Sequence, residues 1–211
     1  MARPLSADMN DEWRVVPRRQ WRGVPYRVGP ASRAAWLYDV LLVAGFSLVI
    51  ALCAQVAIPL PFTPVPVTLQ TLAAVVAGGL LGSTRGTAAV LAYLGEGFAG
   101  LPVFSGGRAG IAHLMGPTGG YLLGFVLAAF LVGLLCERGA SRSWLATLAA
   151  LVAGSLVIYV PGVLWLGAFT GTQKALALGF VPFLIGDALK VIVGCGIVSG
   201  VALVAGKARG A

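Results

Sequence analysis

Charge is scarce in this sequence. Asp, Glu, Lys and Arg make up only 10% of 211 residues, while hydrophobic residues make up 58%. A soluble domain carries roughly a quarter of its residues as charges, so this chain cannot coat a globular surface. Titratable chemistry is equally thin. There is one histidine, and there are seven acids, which argues against a metal-dependent membrane enzyme. The three cysteines, Cys53, Cys136 and Cys195, are odd in number and sit in or beside apolar runs. They read neither as a disulfide framework nor as a metal cluster. No G-x-x-x-x-G-K-[ST] loop is present, so the chain cannot itself hold ATP in the usual way. H-E-x-x-H and G-x-S-x-G are missing as well, and no inverted repeat of the secondary-transporter kind is visible. These absences fit a membrane-embedded binding protein that draws energy from a partner better than an enzyme or a self-sufficient pump.

What is present is a series of apolar runs, at about 36–58, 67–82, 86–100, 117–136, 144–169 and 179–205. Each is read as a helical span of roughly 20 residues, giving an all-α membrane protein with six transmembrane helices. The third run is short and contains Glu96. The break before it, from Gly82 to Gly86, reads as a tight polar turn. The first run is too long for a signal-peptide core, so no signal peptide is expected. Residues 1–35 form an Arg-rich leader, residues 36–205 the membrane domain, and residues 206–211 a tail. The leader holds seven arginines with Trp13, Trp21 and Tyr26 between them. It reads as a largely disordered cytoplasmic tail that sets topology, with an anchor on anionic lipid as the other reading. If both termini are cytoplasmic, the inner segments carry those arginines, Arg85, Arg138, Arg142, Lys207 and Arg209. The outer loops then carry only Arg108 and Lys174, which is the positive-inside pattern. The formal net charge of +8 therefore needs no nucleic-acid partner.

The outer loops differ chemically from the inner ones. Ile58 to Pro66 contains four prolines, which predicts a stiff, extended segment. The loop at about 101–116 is Gly-rich and carries Arg108 and His113, for which solvation is the default. Pro66, Pro117 and Pro182 lie near the starts of the second, fourth and sixth spans and suit first helical turns. Three helix N-termini on one side would favour an anion there.

Asp187 and Lys190 in the last span are the sharpest feature. An ionisable residue in hydrocarbon costs roughly 2.5–3.5 kcal/mol at mid-bilayer. At i and i+3 the two share one helix face. They form either a structural ion pair or the polar part of a ligand pocket, and intramembrane charge favours the pocket. Glu96 is read as a proton relay, a ligand contact, or a residue hydrogen-bonded to Gln70 or loop backbone. Tyr93, Phe104, Tyr121 and Trp165 are packing or interfacial residues by default.

Four segments carry a family resemblance: Ile58 to Leu72, Glu96 to Phe104, Gly116 to Tyr121, and Pro182 to Lys190. Together they resemble BioY, the biotin-specific substrate-binding (S) component of energy-coupling-factor (ECF) vitamin transporters. The resemblance spans about 37–205 and leaves the leader uncovered. It implies the ECF S-component fold, with six helices in the cell membrane and both termini cytoplasmic. It also implies a biotin pocket near the outer face, no cofactor and no catalysis by this chain. The implied partners are a transmembrane coupling subunit (T component) and a pair of ATPase subunits (A components). Binding residues carry over to Asp187 and Lys190, then to Glu96, Arg108, Gly116 and Tyr121. Phe62, Phe104 or Phe183 would cover the apolar bicycle of biotin, since such ligands take an apolar pocket with a few placed polar groups. Small residues spaced by four on the first span would meet the coupling subunit. Ser47 with Ala51 and Cys53 with Ala57 are the available matches. The rival readings are a stand-alone biotin carrier and a membrane enzyme acting on a lipid.

Overall fold

The computed structural model describes residues 33–207. The leader before residue 33 and the last four residues of the tail, with the readings made of them, lie outside the described residues. Seven α-helices follow in order: α1 (Arg33–Gln55), α2 (Gln70–Phe98), α3 (Ile111–Leu114), α4 (Gly119–Glu137), α5 (Trp144–Thr170), α6 (Thr172–Gly179) and α7 (Leu184–Lys207). Short 3-10 turns precede α5 and α7. Five stretches of the described residues are long and apolar enough to cross a membrane: Trp36–Gln55, Gln70–Phe98, Gly119–Glu137, Trp144–Thr170 and Thr172–Ala205.

The second and third expected spans fall within α2, which breaks at Gly82, where φ is 85° and ψ is 177°. Only glycine takes that conformation without steric cost. The chain reverses there. A Cβ on Gly86 would lie 2.7 Å from the Gly78 Cα, although the two are eight positions apart. Gln70 donates to the Tyr93 hydroxyl across the same pair of arms. Thus α2 is a helical hairpin with arms 70–81 and 83–98. Its reversal needs one glycine, where a polar Gly82–Gly86 turn had been expected, and Ser83 and Arg85 beside it are buried. Acids from two neighbouring helices reach them. Glu137 on α4 accepts from the Ser83 amide at 2.7 Å and from its hydroxyl, replacing partners lost at the break. Arg85 pairs with Asp39 on α1 at 2.5 Å.

The hairpin is the centre of the molecule. In α2 78% of the most apolar window is buried, against 22% in α1. Its first arm lies so close to α4 that the Ala129 backbone occupies the place of a Gly78 side chain. Lipid tails give no hydrophobic drive between helices, so small residues that admit close backbone approach hold the contact. Ala74, Val75, Ala128, Val132 and Leu151 fill the core between α2, α4 and α5. The opposite faces carry exposed apolar side chains such as Leu41, Leu164, Ile185 and Leu203, as a lipid-facing surface requires.

Both long loops are tied down. The proline-rich segment is closed at its base by a two-residue antiparallel ladder, pairing Ala57 with Thr68 and Ile58 with Val67. Pro66 therefore precedes a strand residue, not a first helical turn, because α2 starts only at Gln70. Pro117 stands just before α4 and Pro182 lies in the 3-10 turn before α7. In the second loop Phe104 bridges Arg108 and packs its ring into the space left by Gly97. Gln55 donates to the Val103 carbonyl at 3.3 Å, fixing this loop to α1.

Candidate functional site

A cavity of about 530 Å³, counting the space at its mouth, opens between the two loops and the ends of α2, α4, α5 and α7. Leu122, Phe125, Ile158 and Phe183 supply its apolar lining. Its polar groups fall on two walls.

The first wall is helical. Lys190 Nζ lies 2.7 Å from Asp187 Oδ1, and the two side chains are only 10% and 8% exposed. Tyr159 on α5 donates to Asp187 Oδ2 at 2.5 Å, within the range of a short charge-assisted bond. Thr71 on α2 links the pair: it donates to Asp187 at 3.4 Å and accepts from Lys190 at 3.2 Å. The acid and the base are thus an ion pair and also cavity wall at once. The charge cost is offset by contacts from three helices. Thr68 donates to Gln70 Oε1 at 3.1 Å alongside. Aromatic packing keeps the wall rigid, with Tyr159 edge-on to Phe180 at 4.7 Å and Tyr121 edge-on to Tyr159 at 6.4 Å.

The second wall comes from the loop and the start of α4, through Ser105, His113 and Thr118. His113 stacks on Phe104 with ring centroids 5.0 Å apart and planes at 27°. Its Nε2 lies 3.5 Å from the Thr118 hydroxyl. Burial, and then the positive charge of Arg108, push the His113 imidazole below its usual value. Both effects favour the neutral imidazole.

Of the residues carried over to the binding site from sequence, Asp187, Lys190, Phe183 and Tyr121 line this cavity. Tyr121 also donates to the Gly179 carbonyl at 2.7 Å, tying α4 to α6. The others lie elsewhere. Glu96 accepts from Ser47 at 2.5 Å, bonding α2 to α1 and not to Gln70 or loop backbone. Phe62 is exposed and Phe104 is buried beside the cavity, behind His113. The Gly116 carbonyl accepts from Trp165 at 3.0 Å. Arg108 is exposed, and its backbone carbonyl accepts from Phe104. On α1 Ser47 and Ala51 are buried and Cys53 is half-buried, while Ala57 lies past the end of the helix in the ladder with Thr68. The spacing that permits close approach serves α2 within this chain. Sequence reading missed Thr68, Thr71, Ser105, Thr118 and Tyr159. A phenol in the run before Pro161 was the available signal for Tyr159, since a buried tyrosine hydroxyl needs a partner.

A profile of the BioY family matches residues 27–207. The biotin transporter BioY of Thermotoga maritima is 44% identical over 155 residues, covering 72% of this chain and 89% of that one. The probable biotin transporter BioY of Pyrococcus horikoshii is 42% identical over 152 residues, with 72% and 88% covered. A crystal structure of the S-component for biotin from an ECF-type ABC transporter matches with a TM-score of 0.74 at 30% identity, over 81% of this chain and 93% of that one. The family match runs from ahead of α1 to the end of α7, and with it the chain belongs to the BioY family.

Proposed function

We propose that this protein captures biotin and serves as the substrate-binding subunit of an ECF-type transporter, with ATP hydrolysis supplied by separate subunits. The observation that carries the reading is the Asp187–Lys190 pair on the wall of a cavity whose apolar lining includes Leu122, Phe125, Ile158 and Phe183. Biotin has a ureido ring with two donors and one acceptor, an apolar bicycle and a carboxylate tail. Asp187 offers an acceptor and Lys190 a donor one turn apart, and Phe183 and Tyr121 supply apolar surface. The relatives named as biotin transporters and the similar biotin S-component support the same ligand. The missing ATP-binding loop supports energy from outside the chain. Titration of the purified protein with biotin, biotin amide and other vitamins tests the ligand. Uptake by the chain alone in vesicles would replace the ECF partnership with a stand-alone carrier.

The reading includes six crossings with both termini cytoplasmic, each arm of the α2 hairpin counting as one. The reversal at Gly82 and the distribution of Arg and Lys support it. Cysteines placed at Arg85, Arg142 and Lys174 in a cysteine-free background test it. A membrane-impermeant reagent applied outside should label position 174 and neither of the others; the reverse pattern inverts the topology. The coupling subunit would meet α1, the least covered span, on its outward face of Leu41, Gly45, Leu48 and Leu52.

A further inference from the structure

The loop wall of the cavity has polar groups that the fold does not use. Ser105 is only 7% exposed and lines the cavity, yet its hydroxyl has no hydrogen-bond partner among the described residues. The His113 ring is held by stacking on Phe104, and its hydrogen-bond contact among the described residues, with the Thr118 hydroxyl, is 3.5 Å long, at the outer limit of a hydrogen bond. No carboxylate lies on this wall. The helical wall is the reverse: its carboxylate is present and paired, so the net charge there is near zero. Asp187 is the carboxylate that lines the cavity among the described residues, so it is the acceptor for a ligand with a neutral N–H-bearing ring at one end and an anion at the other. Its ring faces Asp187 and its anion faces Ser105, His113 and Thr118.

We infer that His113 is a specificity-determining residue: with the Ser105 and Thr118 hydroxyls it holds the carboxylate of the ligand, and the bound complex takes up a proton on its imidazole. This rests on biotin being the ligand. The groups around His113 are Arg108 on its own loop, Tyr93 behind Phe104 on α2, and Tyr121 and Tyr159 on the cavity wall. Asp187 and Lys190 share that cavity as a pair, and Glu96 is engaged by Ser47. None of them places an acid against the imidazole, so in the free protein nothing favours its charged form. A bound carboxylate does favour it, and raises the imidazole pKa on binding. Affinity for the acid therefore rises as pH falls through the range where the bound imidazole protonates. The ligand carboxylate stays ionised if the range is kept above about pH 5.5.

The experiment titrates the full chain, purified in detergent, with biotin and with biotin amide between about pH 8 and about pH 5.5. In the unmodified protein biotin should bind about ten-fold more tightly at the acidic end, while the amide shows no slope. His113→Gln should flatten the biotin profile and weaken biotin about ten- to hundred-fold at the acidic end, with little effect on the amide. Ser105→Ala should weaken biotin alone and keep the slope. Thermal unfolding checks each variant. If His113→Gln does not fold, His113→Phe keeps the stack on Phe104 and carries the same test. Biotin binding with its slope and its preference over the amide intact in the His113 variant overturns the inference and leaves the biotin reading standing. An unmodified protein that binds neither ligand overturns both.

Discussion

On the helical wall of the cavity, Asp187 is held by Lys190, Tyr159 and Thr71, so three helices agree on where one carboxylate lies. On the loop wall, Ser105, His113 and Thr118 sit on short elements, and no strong hydrogen bond joins them to one another. The difference separates two tasks. A charge inside a membrane protein must be neutralised before any ligand arrives, and that demands a rigid, pre-paired wall. A wall near the mouth can leave its hydroxyls and imidazole free for a ligand, because no uncompensated charge has to be carried there.

Breaking the helical wall should give the largest effect. Asp187→Asn or Lys190→Met alone leaves one buried charge without its partner, which costs about 3–5 kcal/mol. Thermal unfolding should show both single variants strongly destabilised. The double variant should recover most of that stability and still lose biotin binding in a titration. A stable double variant with unchanged affinity would remove α7 from the site.

Tyr159→Phe sharpens the same wall more gently. It keeps the edge-on packing against Phe180 and deletes only the donor to Asp187. The expected loss is about 1–3 kcal/mol, shared between unfolding temperature and biotin affinity. An unfolding shift without an affinity change would make Tyr159 a purely structural partner.

Ser47→Ala lies off both walls and should behave differently. Loss of its bond to Glu96 should cost about 1 kcal/mol of stability, with biotin affinity unchanged. A fall in affinity at constant unfolding temperature would bring Glu96 back into the binding site.

The smallest effect concerns the loop wall without ligand. In the folded protein His113 protonates below its ordinary value. The unfolded chain therefore takes up the proton first. Its contribution to stability is complete above about pH 6.5, declines as pH falls through that value, and levels off below the folded value. Unfolding temperature against pH should show this decline in the ligand-free protein and less of it in His113→Gln.

The two walls were not equally legible in the amino-acid sequence. Asp187 and Lys190 stood out because charge in an apolar run is costly, and their spacing already put them on one face. Tyr159 did not, because a tyrosine in an apolar run also reads as packing; only its distance from α7 reveals the role. Ser105 and Thr118 are lone hydroxyls in loops, with no local signal. Ser47 and Ala51 carried a true signal, close helix approach, but spacing does not say which neighbour approaches. The break in α2 was visible as a Gly- and Ser-rich stretch. Its reduction to Gly82 alone depended on Glu137, fifty-four positions away, serving the Ser83 amide.

The α2 hairpin also bears on how the chain enters a bilayer. Its stretch is the least apolar of the five, and it carries Gln70, Ser83, Arg85 and Glu96. Each of those residues bonds a group brought from another helix or from the opposite arm: Tyr93, Glu137, Asp39 and Ser47. Helices such as α4 and α5 can partition into lipid on their own apolarity. The α2 arms are not on the same terms, since Ser83, Arg85 and Glu96 meet their partners on α4 and α1 and Gln70 meets Tyr93 on the opposite arm. The centre of the fold is therefore complete only when α1 and α4 are in place, because they carry the groups that meet the polar side chains of α2.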